Sequence, residues 1–198
     1  KFIQDKIKTK IKLRYATLQE RQKIFQWLCC SDTTELHLGG ANFSECPVPT
    51  WKEFLAEFHD YYFLEEGGDK ASIMIIENNG IEIGCVVYKL FYLNENCAEL
   101  SIWLNSKKFI GHGFGSRTIK EVVNYLHNNY SITQFLIRPS VKNLTAINAY
   151  KKVGFKEVSD QEKSFVIKNF IKPKYLDQYY DGEYGFNNCI VMVKNIKN

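Results

Sequence analysis

The feature that most restricts the fold is the run Gly111-His112-Gly113-Phe114-Gly115, set between a strand pattern and a helical one. Before it, Ala98 to Leu104 alternates Leu100, Ile102 and Leu104 with Glu99, Ser101 and Trp103, which predicts a strand with two chemically distinct faces. After it, Ile119, Val122, Val123 and Leu126 fall on one helical stripe. Three alternate glycines let the chain turn tightly and aim several N–H groups at one point. The helix beginning near Ser116 adds the positive end of its dipole. Such a turn suits an anion, a pyrophosphate best of all, although a plain strand-to-helix turn has the same composition. Two nucleotide motifs fail here. A dinucleotide fingerprint needs G-x-G-x-x-G early in the chain, and a P-loop needs Lys and Ser/Thr after its last glycine, where this chain has Ser116-Arg117.

The flanking segments predict the rest of an α/β domain. Lys10 to Tyr15 reads as a short strand through Ile11, Leu13 and Tyr15. Thr17…Glu20 and Thr50…Glu53 are capping boxes, each opening a helix, the second running through Phe54, Leu55, Phe58 and Tyr62 to a stop at Glu65-Glu66-Gly67-Gly68. Cys29 to Pro49, with Gly39-Gly40, is a long loop of the kind that serves as a lid or binding segment. Ser72–Ile76 and Ile81–Leu90 form a hairpin at Asn79-Gly80, a pair that tolerates positive φ. A strand (Gln134–Ile137), a helix (Leu144–Val153), a break at Gly154, a short strand, an irregular Tyr-rich stretch and a last strand (Cys189–Val193) complete the order. The order β-α-α-β-β-β-α-β-α-β-β implies one α/β domain with a mixed sheet, over residues 8–195 with a short extension at residues 1–7.

Composition removes other classes. A chain of 198 residues supplies one well-filled core. No apolar run approaches the roughly 18 residues of a membrane span, and KFIQDKIKTK does not resemble a signal peptide, so no membrane partner is expected. A net charge of +4 is too mild for a nucleic-acid footprint. Cys29, Cys30, Cys46, Cys85, Cys97 and Cys189 show no CxxC pair and no metal-ligand spacing with the histidines, so reduced thiols, a cytoplasmic setting and no metal are expected.

A second element narrows the reading. Asn143 stands at the start of a predicted helix that continues Leu144-Thr145-Ala146-Ile147-Asn148-Ala149-Tyr150 and stops at Gly154-Phe155. Tyr150 lies seven residues, about two turns, beyond Asn143 and so on the same face. Together with the glycine loop, this resembles the GNAT superfamily of acetyl-CoA-dependent N-acetyltransferases. That family has a loop of the form Gln/Arg-x-x-Gly-x-Gly/Ala followed by a helix with Asn…Ala…Tyr…Gly-Phe. The chain departs at Ile110, which stands at the Gln/Arg position. Ala98-Glu99 is similar to spermidine and ribosomal-protein acetyltransferases, and Arg138-Pro139-Ser140-Val141-Lys142-Asn143 to aminoglycoside 6'-N-acetyltransferases.

The resemblance implies a single GNAT-like domain whose mixed central sheet is splayed and flanked by helices. It implies acetyl-CoA as co-substrate, held by Ile110, Gly111, His112, Gly113, Phe114, Gly115 and Ser116, by Asn143, and by the backbone of Trp103, Leu104 and Asn105. An alkyl ammonium, with a pKa near ~10.4, must lose a proton before it can attack a thioester. The resemblance gives that task to Glu99, directly or through water, with Ser101 beside it, and gives Tyr150 the proton for the departing thiolate. Each has a plainer alternative: a solvated strand Glu, a packed core Tyr, a simple helix cap at Asn143; Lys107-Lys108, close to the loop, could meet the 3'-phosphate or be a solvated turn. The acceptor site is implied between the early loop (Asp32, Glu35, Glu45) and the late segment, where Asp177, Asp181 and Glu183 are interleaved with tyrosines. Carboxylates among aromatics suit a small cationic amine such as an aminoglycoside. A polyamine or protein N-terminus, a non-catalytic acyl-CoA module, and a monomer or homodimer all stay open.

Overall fold

The computed structural model describes residues 10–38, 48–65 and 70–196. Residues 1–7, Gly39-Gly40, Glu45, Cys46 and Glu66-Gly67-Gly68 lie outside them. The chain enters through β1 (Ile11–Tyr15), then α1 (Arg21–Cys29), α2 (Thr34–His37) and α3 (Trp51–Glu57). β2 (Ala71–Asn78), β3 (Ile81–Lys89) and β4 (Cys97–Leu104) follow, then α4 (Phe114–Tyr130), β5 (Gln134–Ile137), α5 (Leu144–Lys152) and β6 (Lys156–Glu157). α6 (Asp160–Phe170), α7 (Leu176–Tyr179) and β7 (Met192–Asn195) close the chain. The sheet runs β1-β2-β3-β4-β5-β7-β6. Among the described residues only β4 and β5 pair in parallel, so the sheet is mixed.

Local chemistry explains most of these boundaries. Thr50 caps α3, accepting from the Glu53 N–H at 3.3 Å while Glu53 accepts from the Thr50 N–H at 2.7 Å. At Thr17 the same reciprocity opens a 3-10 turn, Leu18–Glu20, before α1 begins. The turn at Asn79-Gly80 has φ of 51° and 77°, the doubly positive geometry its residues allow.

Three expectations need correction. The second helix stops at Glu57, because Phe58 turns out of helical geometry and the chain resumes as a 3-10 turn at Asp60–Phe63. The late segment is not irregular throughout: α6 occupies it, opened by Ser159 and Glu162, whose side chains bond at 2.5 Å. The last strand starts at Met192, and Cys189 makes only an isolated bridge to Ser140.

Strand alternation sends side chains to two cores. Met74, Val86, Tyr88 and Leu100 pack with Ile119, Val122, Leu126 and Ile147 of α4 and α5. Ile73, Ile75, Val87 and Trp103 face α1 and α3 through Ile24, Leu28, Phe54 and Phe58. Each large apolar side chain so buried contributes about 1.5–3 kcal/mol. β3 and β4 meet closely at Gly84, where a Cβ would stand 2.2 Å from the Trp103 carbonyl oxygen.

The sheet then opens. β4 pairs with β5 only from Cys97 to Leu100, so among the described residues no strand covers Ser101–Leu104 on that side. The expected splay is present, and the register says which groups face it. Asn105 N–H donates to the Ile83 carbonyl, and the Asn96 carbonyl accepts from Gln134 on the β5 side. By alternation, the odd-numbered backbone groups of β4 point to β3 and the even-numbered ones to the gap. Trp103 and Asn105 therefore turn their backbone toward β3. Ile102 and Leu104 face the opening.

Candidate active site

Two cavities occupy the splayed region, and they share a wall. The first, about 310 Å³, lies between the glycine loop, the end of β4 and α5. The second, about 690 Å³, lies between α3, β4, the end of β5 and the segment after α7. His37, Ile102, Asn143 and Tyr150 line both.

The smaller cavity is edged by the glycine turn and the first N–H groups of α4, which can meet an anion. Gly111 and Gly113 take φ of 86° and 75°, and a Cβ on either would meet no protein atom within 4 Å. Gly113 precedes α4 and offers the helix no side-chain cap, and the first N–H groups of a helix have no partner within it. Phe114, 9% exposed, anchors the turn against Ile76 and Ile83. Ile110, Gly111, Gly113, Phe114, Gly115 and Ser116 all line the cavity. His112 does not; its side chain is exposed. The Ile110 N–H is already bonded to the Lys107 carbonyl at 3.0 Å, so the cradle's amides start at Gly111. The Ser116 hydroxyl donates to the Ala149 carbonyl at 3.3 Å and ties α4 to α5. Thr145, Ala146, Asn148 and Ala149, quoted within the helix motif but not expected as site residues, line the α5 side.

Two expected contacts are partly committed within the protein. Asn143 Oδ1 accepts from the Ala146 N–H at 3.1 Å, and Nδ2 donates to the Leu36 carbonyl at 3.1 Å, so the cap also holds α2. The Leu104 carbonyl accepts from Thr33 Oγ1 at 2.6 Å and lies 3.0 Å from His37 Nε2. Burial lowers the His37 pKa to about 4, with the bond to Leu104 opposing, so the imidazole is neutral and donates through Nε2.

Tyr150, 5% exposed, stands where the cavities meet. Among the described residues nothing hydrogen-bonds its hydroxyl. Burial and the nearby Glu183 charge push its pKa above the ordinary phenol value, so the proton stays on oxygen at neutral pH.

Glu99, the residue expected to take the amine proton directly or through water, is tightly engaged within the protein. It lines the larger cavity, yet is 7% exposed and forked onto Arg138: Nε to Oε1 at 2.7 Å, Nη2 to Oε2 at 2.8 Å. Tyr92 donates to Oε2 as well. Burial alone would raise the Glu99 carboxyl, but the charge and hydrogen bonds of Arg138, with that of Tyr92, outweigh it and hold the pKa below the ordinary value. Arg138 also donates to the carbonyls of Tyr179 and Tyr180 at 3.1 and 2.9 Å, so the pair anchors the late segment.

That segment roofs the larger cavity. Gln178, Tyr179, Gly182, Glu183 and Tyr184 line it, and the Tyr184 hydroxyl donates to the His37 carbonyl on α2. Of the three expected acceptor carboxylates only Glu183 faces the cavity. Asp177 and Asp181 are exposed outside it, since the helical turn of α7 puts Gln178 and Tyr179 inward. Asp32 instead accepts from the Lys107 N–H at 2.8 Å, and Glu35 is exposed. Motif reading missed Glu53, Glu57 and Lys89. Lys89 Nζ, its side chain 11% exposed, lies 3.5 Å from Glu57 and 3.9 Å from Glu183. Burial works against its charge, but the field of Tyr62, Glu183, Glu57 and Glu99 holds its pKa above the ordinary lysine value.

The splayed mixed sheet carries a glycine turn at one mouth and a polar, aromatic-lined cleft at the other, an arrangement that can seat an anionic carrier beside a cationic acceptor. The GNAT acetyltransferase domain model matches residues 10–156, and the chain belongs to that family. No curated protein matches the sequence. Among solved structures it is similar to aminoglycoside acetyltransferase AAC(6')-Ib in complex with coenzyme A, with TM-score 0.62 and 18% identity over 94% of this chain and 95% of that one. It is also similar to the Vibrio cholerae spermidine N-acetyltransferase in complex with CoA and spermine, with TM-score 0.63 and 17% identity over 93% and 95% of the two chains. The RimL ribosomal alpha-N-protein acetyltransferase in complex with coenzyme A gives TM-score 0.65 and 14% identity over 96% and 95%. These likenesses establish the fold. Among the described residues no group of three or more His, Cys, Asp or Glu side chains could hold a metal, and no helix is long and apolar enough to cross a membrane.

Proposed function

We propose that the protein transfers the acetyl group of acetyl-CoA to a primary amine of a small cationic acceptor, by direct attack of the amine on the thioester. The observation that carries this is the shared wall: an anion-cradling cavity and a larger polar cavity meet at Tyr150 and Asn143. Amides from Gly111 to Ser116 would hold the diphosphate, and the gap-facing backbone of Ile102 with the Leu104 N–H would hold the amide-bearing arm as an added strand. The co-substrate supplies an activated acyl carbon with a thiolate leaving group. Tyr150 keeps its proton at neutral pH and stands ready to give it to that sulfur.

Cavity size and charge support a small cation as acceptor. About 690 Å³ is a small-molecule volume, and Tyr184 closes one side of it. Arg138 balances Glu99 and Lys89 offsets one more carboxylate, which leaves an excess of negative charge from Glu53, Glu57 and Glu183. Phe58, Tyr61, Tyr62, Phe91 and Tyr179 add aromatic faces for cation–π contact. The free, buried thiols of Cys29, Cys85, Cys97 and Cys189 suit a reducing compartment, the cytoplasm.

Thiol release from acetyl-CoA, followed with a disulfide reagent across aminoglycosides, polyamines and a peptide α-amine, tests the proposal. Release with a small cationic amine supports it. Release with the peptide alone makes the acceptor a protein N-terminus, and acetyl-CoA binding without release leaves a non-catalytic module.

A further inference from the structure

The expected base, Glu99, has both oxygens engaged by a forked guanidinium and a phenol. A carboxylate held this way is a poor proton acceptor, because protonation would break the charge-assisted bonds that keep a buried guanidinium satisfied. The cavity contains another carboxylate of the opposite kind. Glu183 is the residue after Gly182, which takes φ of 71° and lies against the Arg138 guanidinium; a Cβ on Gly182 would stand 3.0 Å from Arg138 Cζ. The residue after Glu183, Tyr184, is fastened to the His37 carbonyl. Glu183 is therefore fixed between two anchors, with its side chain 43% exposed toward the cleft that it shares with Tyr150. Among the described residues no N–H or O–H donates a hydrogen bond to its carboxylate; Lys89 Nζ stands 3.9 Å from Oε1, which leaves Oε2 open to an incoming ammonium.

We propose that Glu183 is the proton acceptor for the amine in the reaction proposed above, and that Glu99 is a positioning residue that acts through Arg138 to hold the Tyr179–Glu183 segment over the cavity. The assignment rests on the acetyltransferase reading. The acceptor ammonium gives one proton to a Glu183 oxygen, and the freed lone pair forms the C–N bond at the thioester carbon. The C–S bond breaks with its electron pair going to sulfur, and the Tyr150 hydroxyl proton moves to that sulfur. The second proton shed by nitrogen, as the amide forms, returns to Tyr150, and Glu183 passes its own to water. One proton is released for each acetyl moved.

The surroundings of Glu183 suit this role. Lys89 on β3 and Arg138 beyond β5 face it as cations; Glu57 on α3 and Glu99 on β4 face it as carboxylates; Tyr150 on α5 approaches as a phenol. The cleft walls push the Glu183 pKa up, Lys89 opposes, Glu57 adds to the rise, Glu99 does likewise and Arg138 opposes, with a net shift above the ordinary glutamate value. A base of raised pKa is the better proton acceptor near neutral pH.

The test is the pH profile of thiol release, with the amine that wild type turns over fastest, for wild type, Glu183→Gln, Glu183→Asp and Glu99→Gln. Glu183→Gln is expected to lose about 100-fold or more in kcat/KM and to lose the acidic limb, while calorimetric coenzyme A affinity stays within twofold. Glu183→Asp is expected to keep the limb at a reduced rate. Glu99→Gln is expected to keep the limb too, with a higher KM for the amine. Wild-type turnover combined with a Glu183→Gln rate within threefold and an intact limb overturns this assignment alone, as does loss of the limb in Glu99→Gln. Absence of thiol release by wild type with every amine overturns the acetyltransferase reading, and this assignment with it.

Discussion

Replacing Arg138 with Met keeps the volume of the side chain and removes its charge. The substitution breaks four N–H bonds: two to Glu99 and one each to the carbonyls of Tyr179 and Tyr180. The side chains of Arg138 and Glu99 are 5% and 9% exposed, so solvent neither screens the pair nor replaces the lost partner. Stranding one member of a buried ion pair costs about 3–5 kcal/mol. In a domain of this size that lowers Tm by roughly 6–20 °C, at about 2–4 °C per kcal/mol. Urea denaturation measured from pH 8 to pH 5 should show a second signature. With Arg138 in place the Glu99 pKa is depressed, so its stabilisation is full above the unfolded value and is lost only as pH falls through the lower folded value. Without Arg138 burial raises that pKa, and the variant regains stability as pH falls through it. The gap between wild type and variant should therefore narrow toward acid. A loss below about 1 kcal/mol, or a gap that does not change with pH, would refute the clamp.

Other residues give further expectations. Tyr150→Phe should lower kcat by about tenfold or more with the KM for acetyl-CoA unchanged; equal turnover in steady-state assays removes the phenol from the chemistry. Gly113→Val places a branched side chain at positive φ, where a Cβ meets open cavity, so calorimetry should show coenzyme A binding lost while the chain stays folded. His37 carries a proton in the unfolded chain below pH ~6.5 but not in the folded one until about pH 4. Stability should therefore fall with pH through that window by up to about 1.4 kcal/mol per unit, and His37→Gln should flatten the slope in urea titrations.

What was legible in the sequence was local. The Thr50…Glu53 box, the Asn79-Gly80 turn and the glycine loop each depend on groups within a few residues, and each forms as its chemistry dictates. Asn143 and Tyr150, seven apart on one helix face, meet at the cavity junction because the α-helical period brings them there. α6 was hidden because Phe165 is 71% exposed while Ile167 and Phe170 are buried, which blurs the apolar stripe; the Ser159…Glu162 signature was the signal that could have found it. Alternation put Glu99, Ser101 and Trp103 on one face but said nothing of Arg138, 39 residues away, which decides what Glu99 can do. Lys89, Glu57 and Glu183 come together only through packing of β3, α3 and the late segment.

Where the two cavities meet at Tyr150, coenzyme and amine are expected to react across the phenol. The most direct measurement is a crystal structure with coenzyme A bound. Phosphate oxygens are expected on the N–H groups of Gly111 to Ser116, and the coenzyme sulfur within hydrogen-bond reach of the Tyr150 hydroxyl. A sulfur placed away from that junction, or a diphosphate bound by other groups, would contradict this arrangement.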